Sequence, residues 1–227
     1  MRWGVKIGVV LVSLAFLASP YLGNTANAVE QKNYADVKVM TLTPVGKEVR
    51  VVSLSEKTIN DIQNNALVVE DALEVLSDPN AGDDEKTLAK EIVEAFINKL
   101  KELGLIPDFF DPGKILMKLF SGKIDFMLPI ISFGRGFSWI PLYPGEAFIG
   151  FMFRPIIMQY FLLGYTASLN INLLPPRIEY WDMVGTHTLF VLGFVGIYID
   201  FGKIGYGIPK LQFLMGESLI AGGYDWL

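Results

Sequence analysis

The chain has one histidine and no cysteine, and those two counts remove most familiar site chemistry. Without thiols there is no disulfide, thiol nucleophile, iron–sulfur cluster or Cys-type zinc site. One imidazole excludes a multi-histidine metal site within a single chain, and a Ser-His-Asp triad could use only His187. No G-x-S-x-G elbow precedes it. His187 stands between Thr186 and Thr188 at the edge of an apolar run, which predicts a strand-end histidine bonded to a hydroxyl or carbonyl rather than a general base.

Acid–base chemistry has one other opening. Glu179 and Asp182, in "PPRIEYWD", form a carboxylate pair that could act on a glycosidic bond, with Arg177 as a substrate clamp. On a strand, however, Arg177 and Glu179 share one side and Asp182 faces the other. That spacing fits an Arg–carboxylate pair protecting an edge strand better than it fits catalysis. The catalytic candidates are therefore Glu179, Asp182 and His187. Polar groups are few after residue 113, so those set among aromatics stand out. Arg135, Trp139, Arg177, Tyr180 and Trp181 are the candidates for lining a ligand cleft, although such aromatics more often serve a core.

No metal and no cofactor is expected. The chain lacks a Walker A or G-x-G-x-x-G motif, and "GKIGYG" (202–207) has glycines without a strand–helix setting. The carboxylate-rich link "DPNAGDDEKTLA" fails the calcium-loop pattern. With Asp78 at its first position, Asp83 falls where glycine is needed and Ala89 where a bidentate glutamate is needed.

The N-terminus reads as an export signal. Arg2 and Lys6 precede a short apolar run, Ile7 to Ala18, and Ala26-Asn27-Ala28 offers an A-x-A cleavage site. The run falls short of the ~20 residues a spanning helix needs. Cleavage after Ala28 is the expectation, with a retained anchor as the alternative. Either way the remainder is extracytoplasmic, secreted or at the cell surface.

Two regions of different character follow. Residues 29–112 carry 9 Lys/Arg and 17 Asp/Glu, whereas residues 113–227 carry 8 and 7. The later part also holds 22 of the 29 aromatics and 16 of the 22 glycines. The composition shift marks a boundary near "PDFFDPG" (107–113). An acidic half argues against nucleic acid and against docking on anionic lipid.

In the acidic half, two β-rich runs around "PVGK" predict a hairpin over residues 37–55. Ile59, Ile62, Ala66, Val69, Leu73 and Leu76 recur at helical spacing, with Ser53 or Ser55 able to cap the start and Asp78-Pro79 ending it. A second helix carries Leu88, Ile92, Phe96 and Leu100 and stops at Gly104. "GKILMKLF" (113–120) predicts a third.

Beyond it, "TLFVLGFVGIYIDFG" (188–202) is too short and too rich in glycine and β-formers to cross a membrane as a helix. As a strand it places Phe190, Leu192, Phe194 and Tyr198 on one face, and Leu189, Val191, Val195, Ile197 and Ile199 on the other. Both faces are apolar. Such a strand is covered on both sides, or has an outer face that meets lipid or another chain. "AFIGFMF" (147–153), "IIMQYFLLGYT" (156–166), "RIEYWDM" (177–183) and "KLQFLMGESLIAGG" (210–223) read as further strands.

The expected fold is α+β: an N-terminal β-hairpin and helical hairpin packed, as one unit, on a C-terminal antiparallel sheet, sandwich-like or an open barrel. The expected function is a non-enzymatic cell-surface or envelope interaction protein, with self-association or membrane contact through an apolar face. The alternatives are a binder of an apolar, lipid-like ligand and a hydrolase using Glu179 and Asp182.

Overall fold

The computed structural model describes residues 34–78, 80–123, 126–141, 147–173, 176–203 and 211–226. The expected export signal, its expected cleavage site after Ala28 and glycines 205 and 207 lie outside the described residues. In chain order the elements are β1 (Tyr34–Thr43), β2 (Gly46–Ser55), α1 (Glu56–Ser77), α2 (Asp83–Glu102), α3 (Pro112–Ser121), β3 (Leu128–Trp139), β4 (Ile149–Leu173), β5 (Pro176–Asp200), a 3-10 turn (Phe201–Lys203), β6 (Leu211–Ser218) and β7 (Ile220–Asp225). The fold is mixed α+β with a sheet-rich C-terminal part.

The helices begin and end where local chemistry permits. Ser55 accepts a hydrogen bond from the Thr58 amide and so caps α1. Glu85 accepts from the Gly82 amide at the start of α2. Asp111 accepts from the Lys114 amide, with Pro112 opening α3 and Gly122, at φ 64°, closing it. The buried residues of α1 and α2 fall on single stripes that include Ile62, Val69 and Leu73, and Ile92, Phe96 and Leu100.

The sheet has seven strands in the order β2-β1-β4-β3-β6-β5-β7, with a further pairing between β4 and β5. It is mixed, not wholly antiparallel as the strand-and-turn pattern predicts. The β1 residues Val39 to Leu42 run parallel to Ile149 to Met152 of β4, because the three helices and β3 intervene as the crossover. β1 also pairs antiparallel with β2 along its length.

Two predicted pairs of strands are each one strand. Residues 147–153 and 156–166 join in the 25-residue β4, and 177–183 joins the run beyond it in the 25-residue β5. Pro155 does not break β4, because it falls in a gap on one edge. Pairing with β1 ends at Met152, and pairing with β3 begins at Met158. No neighbour on that edge asks Pro155 for an amide proton. Conversely, the run over 210–223 splits at Leu219 into β6 and β7.

β4 pairs with β3, β3 with β6, β6 with β5, and β5 with β4. The hydrogen-bonded pairings thus return to their starting strand. Two apolar clusters lie on opposite sides of this circuit. One joins the helices to the sheet, where Phe201 meets Phe96, Phe133 and Phe148 at centroid distances of 5.9–6.3 Å. The other contains Ile130, Ile157, Leu189, Val191, Phe194 and Leu214.

That second cluster corrects the predicted faces of β5. Leu189 and Val191 pack with Phe194 and Tyr198, whereas Ile197 and Ile199 face the helices. The strand changes face at Gly193, whose φ is 65°. Only glycine takes up that conformation without strain. An added Cβ would also lie 2.6 Å from Leu219. β4 changes face at the same level. Met152 faces the second cluster on one side of Pro155, and Ile157 faces it on the other.

Candidate functional site

The sequence candidates do not converge. Arg177 and Glu179 form an ion pair at 2.7 Å on the surface of β5. Asp182, an odd number of positions from Glu179, takes a hydrogen bond from the Tyr180 hydroxyl at 3.4 Å. The two carboxylates therefore lie on opposite faces and do not flank one bond. Arg135 on β3 meets Glu70 of α1 at 3.6 Å, and burial raises the pKa of that glutamate against the opposing pull of Arg135. Trp139 is 57% exposed, and Trp181 packs against the second cluster.

His187 is fully buried. Its Nδ1 lies 3.0 Å from the Gly185 carbonyl and its Nε2 2.8 Å from the Thr166 hydroxyl. A carbonyl can only accept, so Nδ1 carries the proton and Nε2 accepts from Thr166. Burial pushes the imidazole pKa down, which holds it neutral. Both nitrogens are occupied, which is a structural arrangement and not that of a poised base.

Several other buried polar groups of the strands share the same side of the sheet. Ser132 donates to Gln159 Oε1 at 2.7 Å, and Gln159 Nε2 donates to Ser138 at 3.0 Å. Ser138 in turn donates to Gln212 Oε1 at 2.6 Å. Ser168 donates to the Pro129 carbonyl. This string ties β3, β4 and β6 together from within. The sequence hints at it only through Gln159, the polar interruption of an otherwise apolar run; Ser132, Ser138 and Gln212 give no such signal.

A cleft of about 350 Å³ opens between the helices and the far end of the β4–β5 pair, lined by Leu76, Lys86, Leu119, Phe120, Leu169 and Tyr180, among others. Phe120 stacks on Tyr180 at 6.0 Å, and Lys90 Nζ sits 4.3 Å from the Phe120 ring centre. Behind it, the Tyr165 and Tyr180 hydroxyls are 2.5 Å apart. Burial raises the pKa of both phenols well above the usual range and raises that of Asp182 as well. The phenols stay protonated near neutral pH, so the set is a hydrogen-bonded string rather than a proton-abstracting one.

The most extensive feature is the outer face of the sheet away from the helices. Three successive rungs cross it. Trp139 pairs with Met158, Met158 with Phe190, and Phe190 with Gly222; Ile156 pairs with Leu192 and Leu192 with Ile220; Phe137 pairs with Tyr160, Tyr160 with Thr188, and Thr188 with Tyr224. No residue in these rungs is charged. Most are exposed, with Phe137 at 54% and Phe190 at 44%. Trp226 closes one end, its indole donating to Thr188 at 2.7 Å and its ring 5.0 Å from that of Tyr224.

Among the described residues no helix is long and apolar enough to cross a membrane. Nor do three His, Asp or Glu side chains gather there as a metal site. Comparison with protein-family models, with curated proteins and with solved structures finds no match, so residue geometry alone carries the functional reading.

Proposed function

We propose that this is an exported, non-enzymatic protein of the cell surface or envelope that acts by contact through its uncovered apolar sheet face. One observation carries the reading: three uncharged rungs across β3, β4, β5 and β7 remain exposed after the helices have covered the opposite side. A contiguous apolar surface of that kind marks an interaction site. In this reading the closed circuit of strands is a small barrel-like body, and the β1–β2 and α1–α2 hairpins are its water-facing cover.

The test is size exclusion with light scattering in the absence of detergent, on the parent and on Phe190→Asp. The parent is expected to associate or to require detergent, and a charge in the middle rung is expected to release a monodisperse monomer. A parent that elutes as an inert monomer refutes the reading. A second reading, binding of a small apolar ligand, draws support from the 350 Å³ cleft with its Leu76, Leu119, Phe120 and Leu169 walls. Mass spectrometry of the purified protein checks it, with a copurified apolar compound expected.

A further inference from the structure

Resting on that reading, we propose that the occupant of the apolar face is the hydrocarbon of a zwitterionic bilayer, into which one side of the sheet dips while the helices remain in water. The first support is how β4 and β5 divide their side chains. Gln159, Thr166 and His187 are fully buried, whereas Leu163 is 64% and Leu192 40% exposed. In water this arrangement forgoes burial of leucines and isolates polar groups. In hydrocarbon the preference reverses: polar groups must turn inward to find partners, and apolar ones lose nothing by facing out. Gln159, Thr166 and His187 do have partners, in the Ser132–Gln159–Ser138–Gln212 string and the Thr166–His187 pair.

The backbone meets the same requirement. At the Met158 and Tyr160 rungs β4 is bonded on both edges, to β3 and to β5; at the Ile156 rung it is bonded to β5 alone, and β5 is bonded to β4 and to β7 at all three. Apart from the short gap around Pro155, which itself has no amide proton, the two central strands present no open row of amides and carbonyls to lipid. Charge selects the kind of bilayer. The rungs carry no formal charge, and the exposed residues of α1 and α2 are rich in Asp and Glu. An acidic body is repelled by anionic headgroups, so attachment is apolar and insensitive to salt. Tyr160, Tyr224 and Trp226 cluster at one end of the face, with rings 5.0 and 6.5 Å from one another. Side chains with an apolar ring and a polar tip suit the headgroup boundary.

The experiment uses the full chain mixed with phosphatidylcholine vesicles whose acyl chains carry bromine, which quenches nearby tryptophan. Two single-tryptophan forms are compared, the other tryptophans being replaced by Phe. One keeps Trp139 on the outer face, and the other keeps Trp181, packed against the interior cluster. Loss of most Trp139 emission is expected, with little loss from Trp181 and no change between low and high salt. Introducing Leu192→Lys is expected to restore Trp139 emission. Unquenched Trp139 in a chain that light scattering shows to be a dimer assigns the face to a second copy; the bilayer proposal then fails while the contact reading stands. Unquenched Trp139 in a monomer overturns both.

Discussion

Gln159 is the most informative single substitution, because its side chain is fully buried and holds two strands at once. Gln159→Leu keeps the volume and removes the amide. Ser132 loses the acceptor at 2.7 Å, and Ser138 loses the donor at 3.0 Å while keeping its own bond to Gln212. A stranded buried hydroxyl donor costs about 1–3 kcal/mol and a lost ordinary hydrogen bond about 1 kcal/mol. The extra apolar surface of leucine offsets roughly 1 kcal/mol of this. The net expectation is a loss of about 1–3 kcal/mol, or a fall in midpoint temperature of roughly 2–12 °C for a chain of this size. Thermal unfolding followed by circular dichroism measures it. Adding Ser132→Ala to the variant removes the stranded hydroxyl together with its partner and is expected to recover most of the loss, with Ser138 left in place because it still donates to Gln212. A Gln159→Leu protein within about 0.5 kcal/mol of the parent would mean that water already satisfies those hydroxyls, and the polar interior would lose its structural role.

His187 gives the pH dependence. Its pKa lies below the ordinary 6.5 when folded, so the unfolded chain takes up the proton first, and its contribution to stability is lost as pH falls from 6.5 towards the folded value. Glu70, Asp182 and Asp200 have raised values and act in the opposite sense, favouring the fold as they protonate at lower pH. His187→Gln is therefore expected to flatten the fall in midpoint temperature measured between about pH 8 and pH 5. Gly216 faces Gly196 across β5 and β6, and a Cβ there would lie 2.3 Å from the Val195 carbonyl oxygen. Gly216→Ala is expected to cost about 1–3 kcal/mol or more in denaturant titration, whereas Gly222→Ala, with nothing within 4 Å, is expected to be tolerated. Ser55→Ala removes the cap of α1 and is expected to cost about 1 kcal/mol, read in the same titration.

Periodicity alone located the three helices, because apolar stripes and capping residues act within a few residues of one another. The Ile59–Leu76 stripe, the Ser55 cap and the Gly104 stop are local physics written in local sequence. The same holds for the strand character of residues 188–200, where β-branching and glycine weigh against a helix. Composition alone also removed thiol chemistry, Cys-type metal sites and multi-histidine sites from consideration.

What the sequence left open depends on which strands meet. Nothing near Pro155 shows that the neighbouring edge will be vacant there, so β4 reads as two strands until β1 and β3 are placed beside it. The inversion of β5 at Gly193 follows from backbone geometry opposite Pro155, and it reverses which of Leu189 and Phe190 is buried. The polar string from Ser132 to Gln212 joins residues up to 80 positions apart in the chain, so its members look like isolated surface serines and glutamines until the strands close. Apolar residues on both faces are legible in a strand. Which face the helices cover, and which stays bare for a partner, is decided only by tertiary packing, because burial is a property of the neighbours and not of the side chain.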